Sequence, residues 1–177
     1  MGSTMNGNKE FYMHKADSAN LKKLYLTSIK FEDNGFDSFF VQAQLRKAAE
    51  GNYRLAQRWL GILGLCKLIH LKEFYYQETM YNQTYDLGIE WLRKAADNGD
   101  LVSEFILAKC MQLGVGLEKN ESLAEAEFAR LVPGITMDEI ISVSILFDHV
   151  LSHEALRPKD LSRYCWPLRG VEGLAAA

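Results

Sequence analysis

The chain has 177 residues, the length of one domain, with 48% apolar and 24% charged residues, a balance that excludes a disordered chain. Twenty Lys and Arg stand against 23 Asp and Glu, a formal charge of −3. No bulk electrostatic drive therefore carries the protein to nucleic acid or to an acidic membrane. Residues 1–4, ahead of a second methionine at Met5, read as an expression leader, and residues 174–177 as a vector tail. The stretch after Met5 is polar, without the apolar core of a signal peptide. The longest apolar run, Ile140 to Phe147, is broken by serines and falls far short of the roughly 20 residues that cross a bilayer. A cytosolic protein that binds no membrane is expected.

In chain order the periodicity is helical. Asp17-Ser18 opens a first stretch that sets Leu21, Leu24, Tyr25 and Ser28 on one face and stops at Asn34-Gly35. A second begins at Phe36-Asp37, with Asp37 as N-cap and Phe36 packing on Val41, and breaks at Gly51-Asn52. A third carries Ala56, Trp59, Leu60 and Leu63 in register. After a polar, aromatic stretch a fourth carries Gly88, Trp91, Leu92, Ala95 and Ala96. Asn98-Gly99-Asp100 stops it and starts the next: Gly99 suits the left-handed C-terminal conformation and Asp100 an N-cap. The fifth helix ends at Gly114-Val115-Gly116, Asn120 opens a sixth, and Pro133-Gly134 closes it. Thr136 and Glu139 form a capping box ahead of Ile140, Ile141, Val143, Leu146 and Phe147. A short last helix starts at Pro158. Sustained strand-type alternation is missing, so the expected fold is all-α.

The chain also repeats itself. Leu45-Arg-Lys-Ala-Ala-Glu-Gly51 returns 47 residues later as Leu92-Arg-Lys-Ala-Ala-Asp-Asn-Gly99. Ala56-Gln-Arg-Trp-Leu-Gly61 likewise aligns with Ser103-Glu-Phe-Ile-Leu-Ala108, small residues on small and leucine on leucine. Paired alanines, with glycine or alanine beyond, let helices approach closely. Each helix pair then leaves an apolar face that the next pair covers.

These residues resemble the Sel-one-like (Sel1-like) repeat, a relative of the tetratricopeptide repeat. Tyr85-Asp-Leu-Gly-Ile-Glu-Trp91-Leu-Arg-Lys-Ala95-Ala96 is similar to its second helix, and Asp97-Asn-Gly99-Asp100, Leu107-Ala108 and the Gly114-x-Gly116 turn follow its order. Ala108 stands where glycine is usual and Met111 where tyrosine is usual, and Gly51 comes one residue early. The resemblance covers 37–65 and 82–131 and implies a short right-handed α/α superhelical solenoid. A single domain over 5–173 follows. It has an N-terminal cap helix at 17–36, repeats at 37–131 interrupted by an insertion at 66–84, and C-terminal cap helices at 136–166.

Chemistry-bearing patterns are sparse. Cys66, Cys110 and Cys165 are 44 and 55 residues apart, which suits neither a disulfide framework nor a zinc site. Cys66 and Cys110 fall in apolar stretches and read as small core residues. His149 and His153 share a helical face at i, i+4, the spacing of a metal pair. There is no HExxH, and histidines at a helix C-terminus also meet the dipole favourably. Gly114-x-Gly116 lacks the third glycine of a phosphate loop and reads as a turn. In the 157–169 run, Leu161, Tyr164 and Trp166 are expected to cap the last helix pair while the basic residues stay wet.

The insertion is the informative departure. Phe74, Tyr75, Tyr76 and Tyr81 are residue types that anchor interfaces, rimmed by Glu73, Glu78 and Asp86. These aromatics either project as a binding face or fold back over a core exposed by the irregular connection. The resemblance implies a non-enzymatic adaptor or scaffold with a protein partner, no catalytic residues and no cofactor. Small stand-alone bacterial members resemble immunity proteins that occlude a cognate toxin, and the compact acidic chain favours that version. Two rivals stand beside it: a metal-assisted enzyme using His149 and His153, and a homo-oligomer paired through the insertion.

Overall fold

The computed structural model describes residues 20, 22–23, 39–66 and 80–152, without the side chains of 39–41, 80–83 and 149. Within them lie six α-helices and no strand: α1 (Phe39–Glu50), α2 (Arg54–Leu65), α3 (Met80–Asp97), α4 (Leu101–Leu113), α5 (Glu121–Leu131) and α6 (Met137–Ser152). A 3-10 turn over Val132–Gly134 follows α5. The first five helices pack in sequence order, each against the next. That is the nearest-neighbour arrangement of an α/α solenoid. No helix among the described residues is long and apolar enough to cross a membrane. Residues 20, 22 and 23 are helical, as the expected N-terminal helix requires; the rest of that helix, the Asp37 cap with its Phe36 staple and the helix at Pro158 lie outside the described residues.

Helix α2 is the centre. Every residue from Ala56 to Leu65 is buried, and a helix covered on all sides belongs between layers rather than at a surface. Its closest contact is with α3, where glycines replace side chains. A Cβ added at Gly64 would sit 2.5 Å from the Gly88 Cα, and one at Gly88 would sit 2.9 Å from the Gly61 carbonyl oxygen. A Cβ at Gly61 would sit 2.5 Å from the Leu92 Cγ. The two backbones therefore touch, and Trp59, Leu60, Leu63 and Leu92 fill the flanks.

The two repeat turns share one geometry. Gly51 and Asn98 N–H groups bond to Lys47 and Lys94, Asn52 and Gly99 to Ala49 and Ala96, and Tyr53 and Asp100 to Ala48 and Ala95. The left-handed residue is Asn52 (φ 72°) in the first turn and Gly99 (φ 77°) in the second. Gly51, which broke the helix one residue early in the sequence pattern, is not itself that residue. Asparagine tolerates the conformation, so Gly-Asn and Asn-Gly build the same turn. The turns also bond to one another. Asn52 Nδ2 donates to Asn98 Oδ1 at 3.2 Å, and Asn98 Nδ2 donates back to Asn52 Oδ1 at 2.9 Å. Gln57 joins them, accepting from Asn98 Nδ2 at 2.8 Å and donating to the Ala49 carbonyl at 3.0 Å.

Beneath this amide ladder Arg58 and Asp100 form a buried ion pair, 7% and 3% exposed. Arg58 Nε donates to Asp100 Oδ2 at 2.7 Å and Nη2 donates to Oδ1. Asp100 also caps α4, accepting from the Ser103 N–H at 3.1 Å and its hydroxyl at 2.5 Å. The caps expected at Asn120 and at Thr136 with Glu139 form as the sequence indicates. The fourth helix starts earlier than the insertion boundary, so residues 80–84 belong to the first turns of α3.

Gly64→Ala will destabilise by about 2 kcal/mol in urea unfolding although alanine is the better helix former, because backbone meets the new methyl. Gly99→Ala, with nothing within 4 Å of an added Cβ, will cost only about 1 kcal/mol of left-handed strain. Breaking the ion pair with Arg58→Met will cost about 3 kcal/mol by stranding a buried carboxylate. The double variant Arg58→Met/Asp100→Ser keeps a capping hydroxyl and will lose less than the sum. A double-mutant cycle coupling above about 1 kcal/mol is expected; additive losses would disprove the coupling.

Candidate binding cleft

The turn after α4 shapes a concave region of the surface. Gly114 ends the helix in the left-handed conformation (φ 74°), its N–H and that of Val115 both bonding to the Cys110 carbonyl. Gly116 is left-handed as well (φ 63°), and its Cα lies against α3: an added Cβ would be 3.1 Å from Ile89 and 3.3 Å from Tyr85. The loop closes where the Asn120 N–H donates to the Met111 carbonyl at 3.0 Å. Asn120 then caps α5 through the Leu123 N–H. The Gly-x-Gly pair thus serves as a turn seated on a neighbouring helix.

Between this loop, α3 and the end of α6 lies an open cleft of about 490 Å³. Tyr85 and Asp86 come from α3, residues 114–118 from the loop, and Val150 and Leu151 from α6. Its lining mixes polar groups with the apolar side chains of Val115, Leu117, Val150 and Leu151, the last 48% exposed. Asp86 and Glu118 are exposed at its edge. The described lining residues include no Lys, Arg or His. Lys119, next in the chain, pairs with Glu121 at 2.7 Å. That hydrogen bond, and then the lysine charge, hold the Glu121 carboxyl below its ordinary value.

Of the residues singled out in the sequence, Asp86 lines this cleft. Glu73, Phe74, Tyr75, Tyr76 and Glu78 lie outside the described residues, and Tyr81 sits in the first turn of α3 with its side chain outside the description. Sequence reasoning missed Glu118, Val150 and Leu151. Glu118 had a usable signal, a carboxylate just past a Gly-x-Gly turn, but nothing local links it to residues 32 positions downstream. Among the described residues no group of three or more His, Cys, Asp or Glu is placed to hold a metal ion. The His149 side chain and His153 lie outside the description.

Two thiols also bear on chemistry. Cys110 is fully buried and Cys66 half-buried as a residue. Burial pushes the Cys66 thiol up to about 12 and the Cys110 thiol further still. Neutral thiols are poor nucleophiles, so both serve as packing. Iodoacetamide at pH 8 will leave Cys66 and Cys110 unlabelled in the folded chain and label them in urea, read by mass mapping. The unfolded thiols ionise near 9.0, so the unfolded state releases protons first as pH rises. Stability is then intact below pH 9 and falls above it by up to about 1.4 kcal/mol per thiol per pH unit. Cys66→Ala/Cys110→Ala will flatten that fall.

No family model and no curated protein matches the chain. Among solved structures it is similar to the crystal structure of a Sel1 repeat protein from Oxalobacter formigenes, at 19% sequence identity and a TM-score of 0.51. The match covers 77% of this chain and 98% of that one. The fold expected from the repeated sequence is thus the fold found: an all-α solenoid of the Sel1-repeat kind.

Proposed function

We propose that the chain is a non-enzymatic protein-binding module. The observation that carries this reading is the cleft beside Asp86: apolar side chains from separate elements brought together with two carboxylates. Exposed apolar surface framed by polar groups is the anatomy of a contact with another chain. The specific version is a cytosolic immunity protein that occludes a cognate bacterial toxin. Phe74, Tyr75, Tyr76 and Tyr81 would enter the toxin's cleft while Glu73, Glu78 and Asp86 meet its basic substrate-binding surface. The net charge of −3 and the acidic cleft edge favour a basic partner over an acidic one.

The test is affinity capture from the native organism's lysate, followed by titration of the purified partner. One stoichiometric partner is expected, with affinity falling at least tenfold, about 1.4 kcal/mol, for Tyr75→Ala/Tyr76→Ala at unchanged melting temperature. Unchanged affinity would remove the insertion from the interface. A partner that kills cells when expressed alone, and is silenced by co-expression of this chain, would mark immunity; a non-toxic assembly component would mark scaffolding. Absence of any partner would overturn the binding reading.

A further inference from the structure

We propose that the cleft seats an extended basic segment of the partner protein. An aliphatic or aromatic side chain rests on Val115, Leu117, Val150 and Leu151, and Lys or Arg residues beside it face Asp86 and Glu118. The inference rests on the protein-binding reading and adds where, and to what chemistry, the chain binds. Four observations lead to it. Val115, Leu117, Val150 and Leu151 give the lining an apolar part, and Leu151 is half open to solvent, so an incoming apolar side chain removes surface from water on both partners. The described lining offers two carboxylates and no cation, and the adjacent Lys119 is engaged by Glu121. An acidic segment is therefore repelled and a basic one attracted, the charge complementarity that sets specificity and on-rate. The loop wall is also pre-shaped, with Gly116 against Ile89 and Tyr85 and the Asn120 N–H bonded to the Met111 carbonyl. Binding then spends little on ordering the site. At about 490 Å³ the cleft is the size of pockets that take small ligands, which suits a short stretch of chain rather than a folded domain.

The experiment selects a phage-displayed random nonapeptide library on the immobilised full-length chain and measures the recovered peptides by fluorescence polarisation. Recovered peptides are expected to place Lys or Arg beside an aliphatic or aromatic residue. Asp86→Lys/Glu118→Lys, two exposed positions, will weaken them at least tenfold with the melting temperature retained, and Leu151→Asp will do the same. Raising salt from 50 to 500 mM will weaken binding to the unaltered chain and not to the charge-reversed one. Failure to enrich any sequence, enrichment of acidic peptides, or affinity indifferent to the charge reversal would overturn the proposal. The 157–169 run of this chain mixes Arg and Lys with Leu161, Tyr164 and Trp166, so a peptide of that sequence serves as competitor. Displacement by it, and not by its scramble, would make the cleft an intramolecular seat and overturn the partner assignment. A lysate partner whose affinity falls with Tyr75→Ala/Tyr76→Ala but not with the charge reversal would sink this inference and leave the binding module standing.

Discussion

The backbone contact between α2 and α3 governs the rest of the molecule. At Gly64 and Gly88 the two helices meet backbone to backbone, and at Gly61 the Leu92 side chain packs directly on the chain, so their separation is set largely by main-chain atoms rather than by flexible groups. Dispersion gains in such a contact are small per atom and large in sum. They also fall steeply with any gap, so the contact has one favourable geometry. With α3 fixed on α2, the Arg58 guanidinium reaches across to Asp100, and the carboxylate it holds is the one that starts α4. One side chain thus links the second helix of the first repeat to the turn inside the second.

The cleft follows from the same frame. Its α3 wall is held by the glycine contact, and its loop wall leans on α3 through Gly116. Helix α6 supplies the third wall while Val143, Leu146, Phe147 and Val150 join the common core. The carboxylates at the edge are exposed because α3 turns Asp86 away from the side that packs on α2. Shape therefore comes from backbone contacts and charge from exposed positions that packing leaves free.

Local signals in the sequence were faithful to the structure. Asp100, Asn120 and Thr136 with Glu139 act within three residues of their own positions, so their roles could be read without knowledge of the fold. The 47-residue repeat likewise announced two equivalent turns. Arg58 was illegible because an arginine beside Trp59 looks like a solvated residue until Asp100, 42 positions away, arrives next to it. The cleft was legible only at Asp86. Its other walls come from a loop and a helix end that share no periodicity with α3 and meet only once the solenoid is stacked. The Asn52–Asn98 ladder hid for the same reason, and because Gly-Asn and Asn-Gly look like opposite motifs while building one turn.

The glycine contact has an evolutionary consequence. Residues 67–79 connect two helices whose mutual position is already fixed by their own backbones, and closing a longer connection adds only about 0.6 kcal/mol per doubling of length. Sequence and length in that connection can then drift while the scaffold keeps its stability. The helical scaffold and the connection between its helices are thus free to change separately, without rebuilding the core.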